Sequence, residues 1–477
     1  ALPNVAGTAD FRNNLQLPNQ PETIDYWTHT LRVDHNISDK QRIFVRANTY
    51  ERNSDYNNWF GNASTGEWFR FASDGASVDD VVTFSPTFVM NLRYGYNRFI
   101  RNTNGHPDSR GFDLTSLGFP ASWNNAISPD MRRFPHINIS GYYGTSSGAI
   151  WRPNDTHAFI AAFDKVQGSH ALKFGGEFRV YRKNEISGGS AATGQLAFSD
   201  TFTRGPRDDA PSAPIGGGMA SFLLGVGTGG SVLRPATFAN QSKVYALYAQ
   251  DDWKVTPKLT LTLGVRYEYE TPLTERYNQS VTGFDTSFIQ PEEAAVRAKY
   301  ALNPTPEVAA ANFNMRGGLM FAGSEGSARN IFRGDKNNIA PRLGLTYRLG
   351  RKSVIRAGFG MFFGALGVRR GDGIQTGFSQ VTNYIASLDG GLTFAANLAN
   401  PWPTGIIEPV GSSLGARTFV GQSISYIQQD PRAANNSRWQ FGIQHELPHR
   451  VMVEAAYVGN RGNDIETARQ LNGIPNQ

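Results

Sequence analysis

The apolar and polar positions are clearest between Val244 and Glu270. A strand closes on Asp251, Asp252 and Trp253, Thr256-Pro257-Lys258 supplies a tight turn, and a second strand opens at Leu259. Leu259, Leu261, Leu263, Val265, Tyr267 and Tyr269 share one parity of that strand, while Thr260, Thr262, Gly264, Arg266, Glu268 and Glu270 hold the other. Successive strand side chains point to opposite faces, so the pattern predicts one apolar and one polar face. About five more such hairpins are expected, with turns near residues 39, 86, 168, 351 and 449. Each turn carries Gly, Pro, Ser, Asp or Lys where tight turns favour them.

Between the hairpins lie long segments, roughly 53–77, 101–156, 184–241, 272–338 and 364–437, rich in Gly, Pro, Asn, Ser and aromatic residues. Residues 291–312 are the best helix candidate among them. Short turns therefore alternate with long loops along the whole chain.

Alternation alone suits a soluble sandwich as well as a membrane barrel. Three features favour the membrane. Strands of about 10 to 12 residues fit a tilted transmembrane strand better than the usual five or six. Aromatic residues sit near strand ends on the apolar parity, as in the interfacial girdles of outer-membrane barrels. Charge keeps to the opposite parity: Arg93, Arg179, Arg266, Glu268 and Arg356 are expected to face a lumen. The expected fold is thus all-β, a partial transmembrane antiparallel up-and-down β-barrel with short periplasmic turns and long extracellular loops.

Composition narrows the classes further. Charged residues make up 18% of the 477, against roughly 25% in typical soluble domains. The chain holds no cysteine, so thiolate metal sites, cysteine nucleophiles and disulfides are excluded. A net charge of +6 comes from scattered rather than clustered Lys and Arg, which argues against nucleic acid as a partner. No window offers about 18 uninterrupted apolar residues, so no transmembrane helix is expected. Neither end carries a start or a leader, and the chain reads as an internal piece of something longer.

Several segments resemble TonB-dependent outer-membrane receptors, most closely their Oar-like branch, which bears a carboxypeptidase-regulatory domain and is abundant in acidobacteria. They are Arg32-Val-Asp-His-Asn-Ile-Ser-Asp-Lys-Gln41, Met219-Ala-Ser-Phe-Leu-Leu-Gly225, Tyr245-Ala-Leu-Tyr-Ala-Gln-Asp-Asp-Trp-Lys254, Leu263-Gly-Val-Arg-Tyr267, Asn338-Ile-Ala-Pro-Arg-Leu-Gly344 and Ala455-Ala-Tyr-Val-Gly-Asn-Arg-Gly462. The resemblance implies a barrel of 22 strands with a plug domain inside and energy from a TonB complex. This chain would supply about 12 to 14 of those strands. Residues 1–25 read as a loop segment before the first strand and 26–477 as the partial barrel, with the plug, the TonB box and the C-terminal strands lying outside it.

Motifs for chemistry fail on context. Gly225-Val-Gly227-Thr-Gly-Gly230 fits a dinucleotide fingerprint, yet Pro235 and the absence of helical period deny it the helix that would meet a pyrophosphate. Gly144-Thr-Ser146-Ser-Gly148 fits a nucleophile elbow, but Ala149-Ile-Trp-Arg-Pro153 cannot start the following helix. The eight histidines lack metal-binding spacing. No enzyme, cofactor or metal is expected. Loop aromatics, chiefly Trp59, Trp68, Tyr142, Tyr143 and Trp151, are the candidate ligand contacts, since exposed rings stack on sugars or ring-bearing ligands; packing of loop on loop into a lid is the other reading. The expected function is energy-coupled transport of a bulky ligand, carbohydrate or peptide, across the outer membrane of a Gram-negative bacterium. A non-gated porin and a secreted adhesin or carbohydrate-binding protein are the alternatives.

Overall fold

A computed structural model describes residues 4–7, 14–17, 22–209, 211, 216–324, 326–369 and 371–471. The loop readings for 472–477 and for most of 1–21 fall outside these. Twelve long strands form the path of one antiparallel sheet in which every sequential pair is hydrogen-bonded, and the two-residue strand Thr274–Glu275 adds a thirteenth beside it. They are β1 (Thr23–Ser38), β2 (Gln41–Tyr56), β3 (Glu67–Ser85), β4 (Phe88–Gly105), β5 (Ala149–Gln167), β6 (His170–Ser187), β7 (Phe238–Thr256), β8 (Leu259–Glu270), β9 (Asn338–Leu349), β10 (Ser353–Phe363), β11 (Asn435–Glu446) and β12 (Met452–Asn463). All six short turns fall where the sequence places them, and an unbroken antiparallel meander puts them along one rim with the long connections along the other.

The strands are longer than expected in the first half of the sheet, 16 to 19 residues from β1 to β7 and 11 or 12 afterwards. Pairing continues past the alternating stretch: Glu67 still sits opposite Tyr56 and Gly105. The connection placed at 53–77 shrinks to 57–66, and those at 101–156 and 184–241 lose residues to the strands at both ends. The helix candidate at 291–312 is realised only as Glu293–Tyr300. Pro304 and Pro306 follow closely, and proline removes a backbone donor and turns the preceding residue from helix.

Burial in the sheet is inverted relative to a soluble protein. On β8 the apolar Leu263, Val265 and Tyr267 are 44%, 47% and 36% exposed, whereas Thr262, Gly264, Arg266 and Glu268 are half-buried. The total accessible surface is 28268 Å², against about 17,600 Å² for an ordinary folded monomer of this mass. The first and last strands, exposed on both faces, and the uncovered apolar face contribute to the excess.

Compact cores occur instead among the long connections. The segments 106–148, 188–237 and 364–434 share a four-stranded sheet made of His136–Ile139, Gln195–Phe198, Gly229–Arg234 and Gln380–Asn383. It packs on a buried cluster containing Leu114, Phe119, Trp123, Leu196, Phe198, Val232, Tyr384 and Trp402. Trp123 lies 4.5 Å from Phe119 and 4.6 Å from Trp402 between ring centres, and its indole N–H donates to the Thr193 carbonyl at 2.8 Å. These three connections fold together as a cap.

Candidate functional site

Register assigns each charge to a face, because residues directly opposite in a sheet share one. On the polar face Asp79 is fully buried; its carboxylate accepts from Asn91 Nδ2 at 2.7 Å and pairs with Arg93 Nε. Further along, Glu177 pairs with Arg179 and accepts from Arg266 Nη2 at 3.0 Å, while Arg266 Nε donates to Glu268 Oε1 at 2.5 Å. Arg93, Arg179, Arg266 and Glu268 thus enter two ion-paired groups on one face. Arg356 lies on the same parity, opposite Thr346 and Gly442, with no ion pair among the described residues.

The connection after β10 folds back onto this face. The Leu366 N–H donates to Glu270 Oε2 at 2.9 Å and the Val368 N–H to Ser242 Oγ at 3.0 Å. Asp372 closes the contact, accepting from Lys183 Nζ at 2.5 Å. Gly367 permits the close approach, since a Cβ there would stand 2.3 Å from Ser242. The segment forms a strap across β6 to β8.

The opposite face carries rows of aromatic rings. One row runs Phe84–Phe88–Phe163–Phe174, with successive centroids 5.0, 6.3 and 5.2 Å apart. A second runs Tyr94–Phe159–Phe178–Tyr245–Tyr269 at 4.6 to 6.4 Å. A concavity of about 680 Å³, lined chiefly by Val78, Leu92, Tyr94, Phe159, Phe178 and Leu247, opens on this apolar side. It suits an acyl chain rather than a polar ligand. The first outward charges toward the long connections stand opposite one another at Asp74, Arg98, Asp155 and Arg182, with Glu51 on β2 two residues beyond.

The five candidate aromatics are only partly united. Trp59 and Tyr143 meet, with ring centres 5.4 Å apart, and Tyr142 and Tyr143 are more than half exposed. Trp68 and Trp151 are not in loops. Trp68 belongs to β3 opposite Asp55 and Asn104, under the Arg110 guanidinium at 5.9 Å. Trp151 belongs to β5 opposite Asn102 and Ile186, and both tryptophans lie on the apolar parity.

The cap carries its own titratable group. Burial holds the His136 imidazole below its ordinary value, so it stays neutral in the folded cap while the unfolded chain takes up a proton near the usual histidine pKa. Cap stability is expected to fall as pH drops through about 6.5 toward the lower folded value. Protease cleavage within 106–148 should rise between pH 7.5 and 5.5, and His136→Gln should flatten that rise.

A sheet with an uncovered apolar face, aromatic rows and ion pairs on its other side defines an integral outer-membrane β-sheet protein, since only such strands gain by meeting lipid. The sequence matches, over residues 1–477, the family described as outer membrane beta barrel domain, and the chain belongs to it. Its fold is similar to the outer membrane transporter YddB from Escherichia coli, with a TM-score of 0.50 at 12% identity, covering 94% of this chain and 42% of that one. The alcaligin outer membrane receptor FauA from Bordetella pertussis gives 0.41 at 10% identity, covering 95% and 46%. The hemophore receptor HasR of Serratia marcescens gives 0.42 at 10%, covering 93% and 46%. The chain spans less than half the length of these structures. No curated protein matches it.

Proposed function

We propose that the twelve strands form part of a TonB-dependent transport barrel of the Oar-like type. The polar face lines the lumen, the short turns lie in the periplasm and the long connections, with their cap, lie outside the cell. The observation that carries this reading is the inverted burial of the sheet, apolar side chains exposed and charges paired behind them. Lipid offers no partner to a bare strand edge, and unpaired backbone groups there cost several kcal/mol each. The outer edges of β1 and β12 are therefore expected to pair with further strands, which in the resemblance number 22 in all. A plug and a TonB contact in the rest of the protein would supply gating and energy, and a bulky ligand would pass along the polar wall.

The chain holds no cysteine, so single cysteines report cleanly. Cysteines at 261, 263 and 265 should be quenched from the lipid phase, and those at 264 and 266 should react with an aqueous reagent. Aqueous access at the odd positions would overturn the lumen assignment. For energy coupling, a protonophore should abolish ligand accumulation by whole cells; a porin would continue to equilibrate its solute.

A further inference from the structure

One row of the polar face differs from the ion-paired groups nearer the short turns. Reading directly across the sheet, Tyr26 on β1 faces Arg52 on β2, which faces Phe71 on β3, Arg101 on β4 and Arg152 on β5. Strands lie about 4.8 Å apart, so three guanidinium groups and two rings occupy roughly 20 Å of wall. Arg152 is neutralised by Glu185. Arg52 and Arg101 have no ion pair among the described residues, and Glu67 on β3 lies two rows nearer the loops. The Nε atoms of both arginines are buried without a hydrogen-bond partner.

Rings frame these cations. The Arg52 guanidinium stands 5.9 Å over Phe71, and its Nη2 donates to Tyr56 Oη at 3.0 Å. Phe69 and Phe71 are stacked within 5° at 6.4 Å, Phe71 and Phe99 lie 6.2 Å apart, and Tyr56 meets Phe69 edge-on at 4.9 Å. All are half-buried. One row nearer the short turns, Lys183 is already engaged by Asp372 of the strap. Within this row the two guanidinium groups without an ion pair among the described residues are thus Arg52 and Arg101, and Glu67 acts on Arg101 only through space.

We infer that this wall of β2 to β5 binds an acidic oligosaccharide lying across the strands, its carboxylates on Arg52 and Arg101 and its sugar faces on Phe71, Phe99 and Tyr26. Guanidinium matches a carboxylate with two parallel N–H donors, and an aromatic face accepts the apolar face of a sugar ring. Sugar units repeat at about the strand spacing, so successive rings meet successive side chains of the row. The assignment rests on the polar face being the lumen.

The test is equilibrium binding of tetragalacturonate to the full-length protein in detergent, with neutral cellotetraose and tetraglutamate for comparison. Tetragalacturonate should bind at least tenfold tighter than cellotetraose and lose affinity with added salt. Arg52→Gln and Arg101→Gln should each weaken it about tenfold. Lys258→Gln, which removes a cation in a short turn, should leave it unchanged, and each variant should keep the parent's heat-dependent gel mobility. Tighter binding of tetraglutamate, or tetragalacturonate binding indifferent to both arginine variants, would overturn the inference. Absent binding, with a cysteine at 52 reached by the aqueous reagent, would remove the oligosaccharide and leave the transport reading standing. Labelling of that cysteine from the lipid phase alone would overturn both.

Discussion

Trp123→Ala is expected to dissolve the cap while leaving the twelve-strand sheet in place. Trp123 is 3% exposed, wedged between Phe119 and Trp402, and its N–H serves the Thr193 carbonyl. Truncating a buried tryptophan costs about 3–5 kcal/mol, because the cavity collapses only in part. This cluster joins 106–148 and 188–237 to the middle of 364–434, whose two ends are held by separate clusters around Phe332 and Phe321, so the loss is a large share of what holds the three connections together. Hydrogen exchange should accelerate within 106–148, 188–237 and 380–406 and stay slow in β2 to β8. Equal acceleration in the strands would mean that cap and sheet unfold as one unit.

Leu263→Arg should prevent stable insertion, at a cost of about 2–4 kcal/mol for a charge near the bilayer midplane. Leu263 sits mid-strand on the exposed apolar face, opposite Asp251 and Leu343. Its nearest acid is not free, because Asp251 already holds His170 at 2.6 Å. Arg266→Gln, three residues on and on the other face, should cost roughly 1 kcal/mol: the glutamine amide ends where Arg266 Nε stands and still donates to Glu268, and Glu177 keeps Arg179. Chemical unfolding from lipid vesicles compares the two directly. Equal costs would deny the difference between the faces.

The hairpins could be read from the sequence because one face of the sheet is apolar and the other polar, which imposes opposite demands on alternate residues. Where that contrast ends, the signal ends, though the strand does not. In Glu67-Trp-Phe-Arg-Phe71 rings occupy both parities, so the alternation is lost there. This is why Trp68 and Trp151 read as loop residues and prove to be strand residues. The row through Arg52, Phe71 and Arg101 was hidden for the same reason: it depends on register between strands whose upper halves carry no alternation. The cap was less legible still. Its strands are four to six residues long and find partners only in distant connections, and no local pattern encodes that pairing.

The Trp123–Trp402 contact also fixes an order of events. Six strands, β5 to β10, separate the two residues in sequence. Closing so long a span is entropically costly until the intervening chain is already folded, and contacts of large sequence separation form slowly. Six strand pairs of the meander, by contrast, close through turns of only a few residues. During biogenesis the sheet should therefore zip into the bilayer first with its outer segments still loose. The cap should lock last, as a late step that reports completion of β10.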